Sequence, residues 1–515
     1  MFRRTGAEAE ASRLRLALAG LIALALIVSV GYIVWRIVVP PGQRDDSRTS
    51  STPAVDGCEG VVASGTGECL GPVTDESRLD GSIRDVAGKI LAMNREVAGQ
   101  PRYVRVALLT PLSVAPPPAE SAMSLDQVRF SLQGAYVALR RVNASAAFGD
   151  KNAPAVQLLL VNQGSGQPFD TSLVERIEKL GDAEHPLVAV VGLGSSKPGT
   201  EQMAEALSIR GIPMVGAVTS ATTLTAARFS TFHSVSPSNS DYANAMKDLL
   251  DKNARTLPRN GIVVRDANND PYSQTLADTY NDVLKDYIKF SPQNFHGGTE
   301  RNAGAPRAFD GIVRSLCTAV NHKTKNLQMV FFAGRVADFP SFAEMLKERT
   351  CDDEPLTVMV GATGFQLSKQ QEAMLDEANV SVIWVSSADA PAWIEKRNGT
   401  PAGFADFLKV YRDEAKYPAD TLNDGYALMY HDAVASAVRA IRMAAERVDI
   451  PTAEGVQTQF GNVALAYEVS GATGTLSFGE RADIDGRATG KAVMYRQIGS
   501  KGPRLPADVQ PYLTR

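Results

Sequence analysis

The sequence predicts an α/β protein of two lobes, each built on a parallel sheet, preceded by one N-terminal transmembrane helix. Three observations lead there. From Tyr103 to Tyr495 strand-like and helix-like patterns alternate, the order that gives parallel sheets covered by helices. Several strands, residues 156–161 (apolar but for Gln157) and 188–191 among them, are nearly continuous apolar runs, as expected when both faces of a sheet are covered. Residues 14–39 are almost continuously apolar, with Arg3, Arg4, Arg13 and Arg15 at their front, which orients the N-terminus to the cytoplasm.

The apolar segment reads as an uncleaved signal anchor. Residues 16–35 hold no charge, and Val38, Val39, Pro40 and Pro41 show no small-residue cleavage pattern. A long cleavable signal peptide is the competing reading. The first cysteine, Cys58, stands too far behind the apolar run for a lipid attachment site. Residues 1–13 are therefore expected in the cytoplasm, 14–39 in the membrane, and everything beyond Pro40 outside.

With 515 residues, 44% of them hydrophobic and 21% charged, the chain can bury more than one core. A net charge of −4 gives no basic footprint for nucleic acid. The four cysteines form an even set on the oxidising side of a membrane, and proximity suggests Cys58 with Cys69 and Cys317 with Cys351. No paired CxxC or histidine cluster supports a metal site.

Residues 40–73, rich in Gly, Ser, Thr and Pro, read as a tether, and a short helical pattern follows over 83–92. The first series then runs as strand 103–109, helix 125–142, strand 156–161, helix 171–180, strand 188–191, a helix after Pro198 and strand 212–217. A second series begins beyond Pro237 with helix 240–250, strand 261–265 and helix 273–288. It continues with helix 309–317, strand 327–332, helix 342–351 and strands 356–360 and 380–385. Helix 423–445 is expected to return to the first lobe, and 474–478 with 491–497 form a terminal pair of strands. Crossings near Val235, Ser386 and Gly471 divide the chain into a linker (40–101), lobe 1 (102–235 and 386–470) and lobe 2 (236–385 and 471–515).

Chemistry concentrates at two loops. The strand 188–191 ends in Gly192, Gly194, Ser195 and Ser196, and a helix opens at Pro198, so N–H groups and hydroxyls converge at a helix N-terminus suited to a small anion or carboxylate. The next strand delivers Thr219, Ser220 and Thr222 at its carboxyl end, where ligands sit in open parallel sheets. The bland reading of the serines is ordinary helix capping.

These pieces together resemble the type I periplasmic binding proteins, specifically the leucine/isoleucine/valine-binding family of ABC importers. The resemblance rests on Gly192 to Ser196, Ile212 to Val215, Thr219 to Ala221 and Phe232 to Ser238, in that order, within a span from about Tyr103 to about Tyr495. It implies two Rossmann-like lobes joined by a three-crossing hinge, with a cleft that closes on ligand. It further implies that Ser195 and Ser196 meet the ligand carboxylate, that Ser220 with neighbouring Thr219 supplies a hydroxyl, and that Tyr272 closes over the ligand from the second lobe. Ser273 stands where the family has glycine. Thr363 stands where amino-acid-binding members carry an acid, so either another carboxylate such as Asp266 or Asp338 answers an amino group or the ligand lacks a free α-amino group. Arg335, where the family has a cleft aromatic, reads either as a bidentate contact to a second anionic group or as a solvated loop arginine.

No enzyme is expected, because the five histidines (His185, His233, His296, His322, His431) pair with no nucleophile and carboxylate. No cofactor is implied. The expected partners are a small polar, carboxylate-bearing metabolite, amino acid or amide-like, an ABC permease, and the membrane through the N-terminal helix. A ligand sensor or scaffold of the same fold, without transport, is the alternative.

Overall fold

The computed structural model describes residues 58, 60–62, 66–114, 121–150, 152–298, 308–322, 324–397, 399–481 and 484–514. The expected cytoplasmic residues, the anchor at 14–39 and the first part of the tether lie outside them. Among the described residues no helix is long and apolar enough to cross a membrane.

Seven strands form the sheet of the first lobe: β1 (Val61–Val62), β2 (Cys69–Pro72), β3 (Tyr103–Thr110), β4 (Ala155–Asn162), β5 (Leu187–Gly192), β6 (Met214–Gly216) and β7 (Phe232–Ser234). Their spatial order is β1-β2-β4-β3-β5-β6-β7, parallel from β4 to β7. On one face Val104, Val106 and Leu108 pack beneath the helices Gly81–Ala98, Leu125–Ala144 and Tyr426–Ala445. On the other, Ala107, Leu109 and Val190 pack beneath Thr171–Glu178 and Pro198–Ile209. Parallel strands bury both faces, which is why their sequences are mostly apolar, Arg105 of β3 and Gln157 of β4 being the polar exceptions among the central residues. Gly134 permits the closest helix contact, because a Cβ there would stand 1.8 Å from the carbonyl oxygen of Ala427.

The reading of 40–73 as a tether is corrected for its last third. β1 and β2 form an antiparallel hairpin, and β2 adds to the sheet edge with Gly71 opposite Asn162. Leu70 is buried against Val161 and Leu173, and the Cys58–Cys69 disulfide closes the hairpin. These strands owe their conformation to the sheet edge and not to local propensity, so a Gly/Ser-rich sequence conceals them. The lead-in helix is also longer than its sequence pattern. Asp80 caps it through the N–H of Ser82, and Ile83, Val86, Ala87, Ile90 and Val97 enter the core. Buried Asn94 bonds both the N–H (2.9 Å) and the carbonyl (2.8 Å) of Leu158. This segment is part of the first lobe.

The second sheet is laid out β13-β14-β15-β12-β11-β10-β8-β9, with β16 (Tyr512–Leu513) paired to β15. Its parallel centre comprises β8 (Gly261–Asp266), β9 (Gln293–Phe295), β10 (Met329–Ala333), β11 (Leu356–Gly361) and β12 (Val380–Ser386). β15 (Thr489–Ile498) runs antiparallel to β12, and β13 (Val469–Ser470) with β14 (Gly474–Ser477) lie at its other side.

The chain leaves the first sheet after β7 and returns after β12, near Val235 and Ser386. The third passage lies within β15 and not at Gly471. Leu476, Phe478 and Ala488 still pack in the first core, whereas along β15 Ala492 and Met494 face the first core and Val493, Tyr495 and Ile498 the second. Alternation along one strand lets it serve both cores. A buried polar network fixes the returning helix beside this strand. The Asp432 carboxylate accepts from the N–H groups of Ala472 (2.6 Å) and Thr473 (3.0 Å), and Lys491 Nζ donates to Thr473 Oγ1 (2.8 Å).

Both cysteine pairs join as proximity suggested. Cys317–Cys351 links the helix Asp310–Val320 to the turn that follows the helix Phe339–Lys347, which ends short of the expected 351, across a separation of 34 residues. In the chain-entropy description, a loop of this length stabilises the folded state by about 3 to 4 kcal/mol. The double substitution Cys317→Ser/Cys351→Ser is expected to lower unfolding free energy by that amount, read from the urea midpoint. An unchanged midpoint would show that the bridge constrains nothing.

Candidate functional site

β5 ends in three consecutive residues with positive φ: Gly192 (96°), Leu193 (62°) and Gly194 (57°). Leu193 is the unusual one, since a branched side chain rarely occupies the left-handed region, and such strain is tolerated where surrounding contacts over-determine it. Here the constraint is Gln167. Its Oε1 accepts from the N–H (2.9 Å) and hydroxyl (3.0 Å) of Ser195, and its Nε2 donates to Thr200 Oγ1 (2.8 Å) and the Ser195 carbonyl (3.1 Å). Ser195 is thereby fastened to the protein. Ser196 turns the other way, its hydroxyl oxygen accepting from the N–H of Ala221 at 3.2 Å, which joins the two ligand loops of the first lobe. Pro198 then opens the helix Pro198–Ile209.

The loop after β6 is held from behind by Arg487, a fully buried side chain on the approach to the third crossing. Its guanidinium donates to the carbonyls of Thr219 (2.7 Å), Ser236 (3.0 Å), Ala221 (2.8 Å) and Leu224 (3.2 Å). Burial pushes its pKa down to about 10. Ser220 faces the cleft; it is 5% exposed, and its hydroxyl has no protein partner among the described residues. Thr219 does not face the cleft. It is fully buried, its Oγ1 3.1 Å from Ser234 Oγ on β7, so its hydroxyl serves the hinge.

From the second lobe, Asp270 caps the helix Pro271–Val283, accepting from the N–H of Ser273 at 3.0 Å. Tyr272 sits in that helix's first turn, not in a free loop, and donates its hydroxyl to the carbonyl of Gly361 at 2.9 Å. Arg335 is neither solvated nor unpaired. Its Nε and Nη2 reach the two oxygens of Asp270 at 2.8 and 3.1 Å, its Nη2 also donates to the Ser196 carbonyl at 2.5 Å, and its guanidinium lies 5.2 Å over the Tyr272 ring. Lys197 of the first lobe adds its Nζ 3.4 Å from Asp270. Burial would raise the Asp270 carboxyl, but the charges of Arg335 and Lys197 outweigh it and hold the group below the usual carboxylate range. Burial, aided by repulsion from Arg335, pushes Lys197 down to about 8.

These groups border a cavity of about 480 Å³ between the lobes. Ser195, Ser196, Ser220, Tyr272, Arg335 and Thr363 all line it, as do Ser124, Gln127, Asp424 and Tyr426. The Thr363 hydroxyl lies 3.0 Å from Tyr242 Oη and 2.8 Å from Ser387 Oγ. Neither Asp266 nor Asp338 lines the cavity. Asp266 accepts from the N–H groups of Asn268 and Gly297, and Asp338 from that of Gly298. Among the described residues no group of three or more His, Cys, Asp or Glu could hold a metal ion.

Four cavity or latch residues escaped the sequence reading: Lys197, Asp270, Asp424 and Tyr426. The Asp270-Pro271 pair was a legible capping signal. Its ion pairs were not, since Arg335 lies 65 residues away.

No family model matches the chain, and no curated protein matches it in sequence. Solved structures share its fold. A branched-chain amino acid ABC transporter protein from Thermus thermophilus with bound valine superposes with a TM-score of 0.56 at 13% identity, over 80% of this chain and 96% of that one. The leucine-binding protein LivK from Thermotoga maritima gives 0.55 at 13% identity, over 79% and 99%. LivJ, a branched-chain amino acid transporter substrate-binding protein from Streptococcus pneumoniae in complex with isoleucine, gives 0.52 at 14% identity, over 80% and 100%. The architecture is thus that of the type I periplasmic binding proteins. These neighbours are named as amino acid binding or transport proteins.

Asp270→Asn leaves Lys197 and Arg335 facing each other without a countercharge, a loss on the order of 3 to 5 kcal/mol at a buried pair. The expected outcome is an opened cleft, read as a larger radius of gyration by small-angle X-ray scattering. An unchanged profile would show that the bridge does not hold the lobes. In the wild type the bridge persists through neutral and mildly acid pH. It weakens as pH falls through the lowered pKa of Asp270, and its Lys197 arm is lost as pH rises through about 8.

Proposed function

We propose that the chain is an extracytoplasmic solute-binding protein, anchored by its N-terminal apolar segment, that captures a small polar, carboxylate-bearing metabolite between its lobes for an ABC importer. The observation that supports this most is the convergence on one cavity of Ser220 and of Ser196, two residues ahead of the Pro198–Ile209 helix, under the cover of Tyr272 and Arg335 from the second lobe. A helix N-terminus favours an anion, and unpartnered hydroxyls need an acceptor or donor. The cavity volume falls within the range of small-molecule sites. The solved neighbours named above bind valine or isoleucine or are named for leucine. Two disulfides suit an oxidising compartment, and the charge-free residues 16–35 suit a single membrane pass.

Thermal-shift titration of the purified full-length chain against amino acids, amides, short peptides and organic acids tests the reading. A ligand at 100 times its Kd adds about 2.7 kcal/mol to the folded state. Ser220→Ala is expected to weaken that ligand roughly 10- to 100-fold, the worth of one hydrogen bond to a charged group. No shift with a folded protein would overturn solute capture. For the anchor, cell fractionation is expected to place the chain in membranes with its C-terminal part open to external protease; a protease-resistant chain would contradict that topology.

A further inference from the structure

The cavity also holds polar groups that the carboxylate subsite leaves unexplained. Asp424 lines it, 2% exposed, just before the helix Tyr426–Ala445. Gly425, at φ 85°, caps this helix in the left-handed region, so Asp424 stands outside the helix and at the cleft. One carboxylate oxygen accepts from the N–H of Tyr426 at 2.9 Å. The other has no protein hydrogen bond among the described residues. Beside it the Tyr426 hydroxyl, on a residue 6% exposed that also lines the cavity, is likewise without a partner there.

Among the described residues no cation answers this carboxylate. Asp126, at the start of the helix Leu125–Ala144, is the charged group felt at Asp424, and its negative charge is directed to Arg129 at 2.8 Å. From the second lobe Gly364 gives its N–H to the Asp424 carbonyl, not to its side chain. Arg335 shares the cavity, but its guanidinium is committed to Asp270 and the Ser196 carbonyl. A buried acid and a buried phenol, both open to one cavity and neither neutralised by the protein, define a place for a positively charged donor.

Resting on the solute-binding reading above, we propose that Asp424 and Tyr426 receive an ammonium group of the ligand, so that the site selects amine-bearing carboxylates over simple carboxylates. Asp424 thus takes the part that Thr363 cannot play. Burial, with the nearby Asp126, pushes the Asp424 carboxyl up to about 8, so at pH 7 it holds a proton. An incoming ammonium favours the ionised carboxylate, and that proton leaves to the buffer.

The test is isothermal titration of the full-length chain with matched pairs: L-leucine against 4-methylpentanoate, and γ-aminobutyrate against butyrate. In the wild type the amine member of a binding pair is expected to bind about 30-fold tighter or more. Titrations at pH 7 in buffers of differing ionisation enthalpy should show close to one proton released per amine bound. Asp424→Asn, nearly isosteric, should narrow the preference to within about threefold and abolish proton release. Tyr426→Phe should weaken the amine member alone. Equal binding of amine and des-amino compounds, or full discrimination retained in Asp424→Asn, would overturn the ammonium site while leaving solute capture standing. Failure of every probe to bind would overturn both.

Discussion

Closure of the cleft depends on one carboxylate. Asp270 caps its own helix with one oxygen, pairs both oxygens with Arg335 of the same lobe, and meets Lys197 of the opposite lobe. Arg335 in turn reaches across to the Ser196 carbonyl. Two cations and one acid, all nearly removed from water, are tolerable only because each satisfies the others. The arrangement locks the turn after β5 to the first turn of the Pro271–Val283 helix, and so fixes the mutual position of Ser196 and Tyr272. Arg487 does the corresponding work behind the cleft, tying the Thr219–Leu224 loop to the hinge carbonyl of Ser236.

The consequence is a site of mixed polarity. The serine hydroxyls of Ser196 and Ser220 and the acid and phenol of Asp424 and Tyr426 all line the same cavity. Tyr272 and Arg335 form the cover contributed by the second lobe. Arg335 therefore serves as a structural cation at the rim, since its donors are used within the protein. Among the described residues, the Ser220 hydroxyl, the second Asp424 oxygen and the Tyr426 hydroxyl are polar atoms of the cavity that no protein group satisfies.

Much of the architecture was legible because its signals are local. Apolar runs at β4 and β5, the glycine-serine turn before Pro198 and the spacing of the cysteines each depend on residues close in sequence. The parts that escaped are tertiary. β1 and β2 exist because a sheet edge and a disulfide hold them. Thr219 turns toward β7 because β6 ends at Gly216, after which strand alternation no longer dictates direction. Arg335 looked like a loop arginine until the fold brought Asp270 to it. Asp424 was hidden because helical periodicity runs on to Asn423, whereas the helix begins only at Tyr426, after the left-handed Gly425. A helix started three residues early places Asp424 on a turn of helix and not at the mouth of the cleft.

The central claim is that one ligand is held by both lobes in this cavity. Hydrogen–deuterium exchange with the compound giving the largest thermal shift examines it directly. The account predicts simultaneous protection of residues 194–200 and 218–222 in the first lobe and of 270–275 and 361–366 in the second. Protection confined to one lobe, or appearing away from the cleft, would contradict it.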